Sequence, residues 1–322
     1  MSAKLTEDAR METVDVIIPV YKPEHRFLTL VDKLETQTVP VNQIIIMNTE
    51  QKYLDRLLYG TTLERKYHNI TVKHLSKREF DHGRTRNQGV KLSRSDVFIM
   101  MTQDAVPADE YLVERLLAGL SGEKTAVAYA RQLPDSESSE IERYTRGFNY
   151  PEESRVKTKD DLPELGIKTF FCSNVCAAYK REVFDSLGGF ADRAIFNEDM
   201  LYAAKAVDAG FGIAYEAGAR VYHSHNYTYR QQFHRNFDLG VSQADHPEVF
   251  AARSSESEGI RLVKNTVDYL KRKGMGRKIP GVILQSGFKY AGYLCGKRYR
   301  FLPKRLVVAM SSNKEYWSQG SV

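Results

Sequence analysis

Asp96-Val-Phe-Ile-Met-Met-Thr-Gln-Asp-Ala-Val-Pro107 is the stretch from which the fold can be read. Its five consecutive apolar residues, Val97 to Met101, carry no polar break. Such a run fits a strand covered on both faces, as in the middle of a parallel sheet. It stops at Thr102-Gln103-Asp104, and Pro107 cannot donate to a ladder. Asp104 is therefore expected just past the carboxyl end of a central strand, where open α/β sheets bind ligands. A carboxylate there suits a hard divalent cation that also holds phosphate. It equally suits the cap of a helix over Ala108 to Leu120.

On the N-terminal side the pattern is regular. Val14 to Val20 reads as a strand closing on Tyr21-Lys22-Pro23, and Phe27 to Thr36 as an amphipathic helix. Gln43 to Met47 is a second strand closing on Asn48, Leu54 to Tyr67 a second helix, and Ile70 to Leu75 a short strand. Gly83 to Leu92 is a loop entering a helix. This alternation predicts βαβ units and a mostly parallel sheet flanked by helices, an α/β fold. No Gly-x-Gly-x-x-Gly follows the first strand and no Gly-x-x-x-x-Gly-Lys occurs, which disfavours dinucleotide and P-loop sites.

On the C-terminal side Thr125 to Arg131 reads as a strand, and the polar stretch from Pro134 to Lys168 as a long surface excursion of the lid type. Phe170 to Tyr179 is small and apolar, and Lys180 to Leu187 a helix ended by Gly188-Gly189. Asn197-Glu198-Asp199 opens a helix over Met200 to Ala209 that Gly210 caps. Phe211 to Tyr215 and Arg220 to His225 complete the region. Beyond Tyr227 the chain turns to basic, aromatic helices. Basic residues interleaved with aromatics suit a helix at an anionic membrane interface, or a packed helix with a solvated basic face.

Composition bounds the rest. The 322 residues, 42% hydrophobic and 27% charged, can bury one large core with an appended region. Three cysteines make no even disulfide framework, so a reducing compartment is expected and Cys172 and Cys176 read as small core residues. Residues 1–8 lack an apolar signal core, and no apolar run reaches the roughly 18 residues that span a bilayer. The expected location is cytoplasmic, on or near a membrane surface. A net charge of +6, from 47 basic and 41 acidic residues, fits a phosphate-bearing ligand or an anionic membrane. No nucleic-acid-binding signature occurs, so nucleic acid is not an expected partner.

The ordered set Pro19-Val20-Tyr21, Phe80-Asp81-His82-Gly83-Arg84-Thr85-Arg86-Asn87-Gln88-Gly89, Thr102-Gln103-Asp104-Ala105, Asn197-Glu198-Asp199 and His223-Ser224-His225 resembles the family 2 glycosyltransferases of the GT-A fold. Within that family it is similar to bacterial rhamnosyltransferases, as is the run from Lys289 to Pro303. The resemblance implies a catalytic domain over residues 13–230 and a helical C-terminal region over 231–322. It also implies an inverting enzyme that moves a sugar from a dTDP- or UDP-linked donor to a surface polysaccharide or lipid-linked saccharide. Pro19, Val20 and Tyr21 match the segment lining base and ribose, with Asn48 where the family often has aspartate. Asp81, Arg86 and Asn87 match the element touching nucleotide and phosphate; Arg86 offers a planar fork to phosphate oxygens, or forms an ion pair with Asp81. Gln103 and Asp104 fall in the family's Asp-x-Asp element, degenerate here because Thr102 takes the first place.

Asp104 then matches the metal-binding aspartate, with His223 or His225 as a further ligand to Mn2+ or Mg2+. Alternation in a strand would put both histidines on one face. Asp199 matches the catalytic base, with Glu198 as the alternative; at a helix N-terminus Asp199 is expected to have a lowered pKa. A non-catalytic nucleotide-sugar binder would account for Thr102 and Asn48. A sugar nucleotidyltransferase would need a basic Gly-rich loop after the first strand, which Pro19 to Pro23 does not supply.

Overall fold

The computed structural model describes residues 12–251 and 256–318. The reading of residues 1–8 lies outside them. Nine strands make one sheet: β1 (Val14–Tyr21), β2 (Gln43–Thr49), β3 (Ile70–Leu75), β4 (Val97–Met101), β5 (Val106–Pro107), β6 (Thr125–Leu133), β7 (Arg155–Lys157), β8 (Cys176–Lys180) and β9 (Gly212–Tyr222). Their order is β3-β2-β1-β4-β8-β6-β9-β5, with β7 on the side of β9. The α/β class stands, and the sheet is mixed. β3, β2, β1 and β4 run parallel, as do β6 and β9. β8 is antiparallel to both β4 and β6, and β5 and β7 are antiparallel to β9.

The unbroken apolar runs follow from cover on both faces. In β1 and β4 alternate residues (Val16, Ile18, Ile99, Met101) enter one core layer, and the intervening ones (Ile17, Phe98, Met100) enter the other. The first layer is closed by helices His25–Leu34 and Leu112–Gly119 through Phe27, Leu30, Val31, Leu112 and Leu116. The second is closed by helices His82–Leu92 and Glu198–Asp208, with Phe184, Phe190 and Tyr202 packed on Tyr179. Cys172 and Cys176 are buried, free core residues.

The stretch from Pro134 to Lys168 corrects its reading as an excursion. It contains helix Glu140–Asn149, capped by Ser139 Oγ accepting from Glu142 N at 3.2 Å, and strand β7. Its apolar stripe is short, Ile141, Tyr144 and Phe148 at helical spacing, none of them fully buried, and the charged residues around it made the stretch read as surface. The two last segments likewise join in one long strand, β9, and the histidines follow its end.

Beyond Thr228, helix Tyr229–Asp245 crosses helix Ile279–Lys297 at backbone contact. A Cβ at Gly292 or Gly296 would collide with the carbonyl oxygen of Phe233 or Phe237. Helix Glu256–Arg272 precedes this pair and helix Lys304–Met310 follows it. A third small core of Ile195, Phe237, Val241 and Val307 packs helices Tyr229–Asp245 and Lys304–Met310 against the segment that leads into helix Glu198–Asp208. No helix among the described residues is long and apolar enough to cross a membrane.

Candidate active site

The carboxyl ends of β1, β2 and β4 meet at one edge, where the sequence placed them. Gln103 continues the pairing beyond the β1–β4 ladder: its Oε1 accepts from Tyr21 N at 2.8 Å, and its Nε2 donates to Tyr21 O at 3.0 Å. Val20 points into the core and Pro19 is half-buried, so of this segment Tyr21 presents its side chain to the adjoining cavity of about 780 Å³. The Tyr21 ring meets Tyr53 edge-on at 5.6 Å, with Lys77 Nζ 5.3 Å from its centroid. Asn48 is fully buried and its Nδ2 lies 2.9 Å from His74 Nδ1.

Asp81 caps helix His82–Leu92, accepting from Gly83 N at 3.1 Å and Arg84 N at 2.9 Å. Burial pushes its carboxyl above the ordinary range. It does not pair with Arg86. The buried Arg86 guanidinium instead reaches Glu198 at 3.3 Å and donates to His82 O at 3.0 Å. Asn87 holds the backbone of Phe190, donating to its O at 2.9 Å and accepting from its N at 3.1 Å. Asp81 and Asn87 therefore shape this loop, chiefly through hydrogen bonds to backbone.

Asn197 sits in the left-handed region at φ 64° and turns the chain so that Glu198 and Asp199 diverge from one helix start. Asn174 holds both: its N–H donates to Asp199 Oδ2 at 3.0 Å, and its Nδ2 donates to Glu198 Oε1 at 3.1 Å. Its own Oδ1 accepts from the buried Tyr179 hydroxyl at 2.7 Å, which anchors the arrangement in the core. Burial raises the cost of ionising Glu198, but Arg86, His82 and the hydrogen bond from Asn174 together outweigh it and hold the carboxyl below its usual value. Asp199 goes the other way. Burial, and then the negative charge of Glu198, push it up to about 7, although Asn174 N and Met200 N (2.8 Å) both donate to it. The lowered pKa expected from the helix end is overturned, because desolvation and a like charge exceed a terminal dipole.

Asp104 faces the two histidines and caps no helix; the helix that follows starts only at Leu112. Asp104 Oδ1 lies 3.6 Å from His223 Nε2, Oδ2 lies 3.4 Å from His225 Nε2, and the two Nε2 atoms are 3.0 Å apart. Gln132 fixes the tautomer of His223. Its Oε1 is identified by Arg146, which can only donate, so His223 Nδ1 (3.0 Å) must donate to the same oxygen. Nε2 is then the unprotonated nitrogen, aimed at Asp104 and His225. Burial lowers the pKa of His223 to about 3 and that of His225 below its ordinary value, so both rings are neutral at pH 7. One carboxylate and two neutral imidazoles, with ligand atoms within 4.8 Å of one another, fit a divalent metal ion with room for further ligands.

Gln132 also links the two corners. Its Nε2 donates to Ser173 Oγ at 3.0 Å, and the next residue, Asn174, holds Asp199. Arg235, on helix Tyr229–Asp245, stacks 4.8 Å over Phe196 and 5.4 Å over Tyr227, whose ring lies 4.8 Å from His225. Arg235 and Tyr227 line the cavity opposite Tyr21. The sequence reading missed Gln132, Asn174 and Arg235. Only their places at a strand end, before strand β8 and on the first basic helix hinted at them.

The mixed sheet flanked by helices, with Asp104, Glu198, Asp199, His223 and His225 gathered near one edge, has the GT-A fold. Residues 15–188 match the model of Glycosyl transferase family 2, and the chain belongs to that family. It is 37% identical over 307 residues to O-antigen chain rhamnosyltransferase RfbN of Salmonella typhimurium (strain LT2), covering 95% of this chain and 96% of that protein. It is 36% identical over 311 residues to O-antigen chain rhamnosyltransferase WbaN of Salmonella anatum, covering 96% of each. The fold is shared with mannosyltransferase PcManGT from Pyrobaculum calidifontis, solved with GDP-Man and Mn2+ (TM-score 0.55, 12% identity, 97% of this chain and 86% of that one). S. aureus TarS 1-349 with UDP-GlcNAc is similar at TM-score 0.51 and 14% identity, over 90% of this chain and 92% of that one.

Proposed function

We propose that the enzyme transfers rhamnose, with inversion, from a dTDP- or UDP-linked donor to a surface polysaccharide or its lipid-linked precursor. The observation that carries the reading is the network His223–Gln132–Ser173, continued through Asn174 to Asp199, which fixes a metal-ligand corner and a base on one frame. Asp199 takes the proton of the acceptor hydroxyl as its oxygen attacks the anomeric carbon and the bond to the donor diphosphate breaks. A carboxylate of pKa about 7 is close to the best match for a base working at neutral pH. Glu198, already paired with Arg86, is a positioning residue in this scheme.

Asp104, His223 and His225 would hold the divalent ion, which supplies charge stabilisation to the departing diphosphate. Two imidazoles favour Mn2+ over Mg2+, which prefers oxygen ligands. Tyr21 lines the cavity where base and ribose would lie, Asn48 is buried against His74 at the end of β2, and Arg235 lines the same cavity where a diphosphate would meet a guanidinium. We assign residues 13–230 to the catalytic domain and 231–322 to the helical region that closes the cavity. The enzyme works at the cytoplasmic membrane surface, where a lipid-linked acceptor is presented.

The test is release of nucleoside diphosphate from a panel of dTDP- and UDP-sugars, with Mn2+ or Mg2+, with and without lipid-linked saccharide. Acceptor-dependent release from one rhamnosyl donor, faster with Mn2+, is expected. Turnover of a different sugar alone would overturn the donor assignment.

A further inference from the structure

Helix Ile279–Lys297 is built inside out for a packed helix. Its buried face is Val282, Gly292, Tyr293 and Gly296, and the two glycines let it touch helix Tyr229–Asp245 backbone to backbone. Its solvent face is Pro280, Ile283, Leu284, Gly287, Phe288 and Ala291, all exposed, recurring at the spacing of one helical face without a charge among them. Ile283 and Leu284 are 52% and 51% exposed, and Phe301, just past the helix, is 88% exposed. Water is a poor covering for such a stripe.

Charge identifies the covering. From Tyr269 to Lys314 there are twelve lysines and arginines and no aspartate or glutamate. They cluster at both ends of the stripe: Lys271 to Lys278 before it, and Lys297 to Arg305 after it. A second copy of the chain laid on this face would bring two such collars together. An anionic bilayer meets the apolar stripe with acyl chains and the collars with headgroups. With no helix able to span, the element lies on the surface.

We propose that this face of helix Ile279–Lys297, with Phe301, seats in the interface of an anionic bilayer and orients the enzyme on it. The inference rests on the membrane location proposed above and adds which surface docks. It also couples docking to the site. The chain runs on from Phe301 through Val307, in the third core, to Ala309 and Ser311–Glu315, which line the cavity opposite Tyr21. Asp238 pins that segment by accepting from Ser311 Oγ at 2.7 Å and Ser312 N at 2.8 Å.

The experiment is flotation of the full chain with vesicles of phosphatidylcholine alone or with about 30% phosphatidylglycerol, at low and high salt. The native enzyme should float with the anionic vesicles. The triple variant Ile283→Ser, Leu284→Ser, Phe301→Ser should partition about tenfold or more weakly at both salt concentrations. Its melting temperature should be unchanged because these side chains are exposed; Phe301→Ser alone provides the same comparison should the triple variant melt early. The variant Arg298→Ser, Lys304→Ser, Arg305→Ser should lose mainly the salt-sensitive part. If the native enzyme floats and the apolar variants float equally well, this face is not the docking surface, although the membrane location stands. If the native enzyme floats with neither vesicle, both fail, while the chemistry assigned to Asp199 is untouched. A native dimer that the triple variant turns into a monomer would assign the stripe to a second copy and overturn the proposal.

Discussion

Asp104 and Asp199 stand at two ends of one hydrogen-bond network, and their surroundings drive them apart. Burial works against ionising Asp104, but its interaction with His223 and His225, together with hydrogen bonds from Thr102 and its own backbone N–H, outweighs it and holds it below the ordinary range. Burial works against ionising Asp199 as well, and there Glu198 adds to it, so the carboxyl rises to about 7. One carboxylate is set up as a permanent anion for a cation. The other is set up to exchange a proton near neutral pH. Identical side chains take separate roles through their neighbours, the general pattern of paired catalytic carboxylates.

The harshest test of that contrast is Asp199→Asn, which keeps the size and loses the proton acceptor. Turnover should fall about 10²- to 10⁴-fold while donor binding changes by less than roughly threefold. In the native enzyme turnover should rise with pH through about 7, as the base ionises, and this limb should vanish in the variant. The same shift runs against stability. Because the folded pKa lies above the ordinary aspartate value of about 3.8, the favourable contribution is complete below about 3.8 and is lost as pH rises through about 7. The melting temperature of Asp199→Asn should therefore gain on the native enzyme between pH 5 and pH 8. Near-native turnover with a verified acceptor would place the base elsewhere.

A second test acts on the other corner without touching a ligand. Gln132→Ala removes the acceptor that fixes the His223 tautomer and should weaken Mn2+ affinity about 10- to 100-fold, read by metal titration of donor binding. Asp104→Asn should reduce donor binding strongly with Mn2+ and little without it. If both variants keep native metal dependence, the triad is structural.

The mildest effect on turnover at pH 8 is expected from Glu198→Gln. Losing the charge beside Asp199 should move the acid limb of the turnover profile to lower pH. Losing the partner of buried Arg86 should cost about 3–5 kcal/mol in chemical denaturation. A larger loss of turnover than in Asp199→Asn would exchange the two roles.

The parallel half of the sheet was legible because its apolar runs and helical stripes are local patterns set by burial. Val97 to Met101, Val14 to Val20 and the helix holding Phe27, Leu30, Val31 and Leu34 all fall where the sequence put them. Helix Glu140–Asn149 was invisible because it buries no complete side chain. The expected single helix from Leu54 to Tyr67 is two, Gln51–Leu58 and Leu63–Lys66, parted near Gly60 at φ +77°.

The sequence by itself determined the α/β class, the positions of Asp104, Glu198, Asp199, His223 and His225, and the basic, acid-free tail. Periodicity, turn residues and charge are carried by neighbouring residues, so they survive in one dimension. Only the tertiary structure decided that Arg86 pairs with Glu198 and leaves Asp81 to cap a helix. It also decided that Gln132 and Asn174 join the histidines to Asp199, and that Asp199 is raised to about 7 when a helix start alone would lower it. Those outcomes depend on desolvation and on groups brought together across 25 or more positions of chain, or on one residue's turn away from its neighbour. No local pattern encodes them.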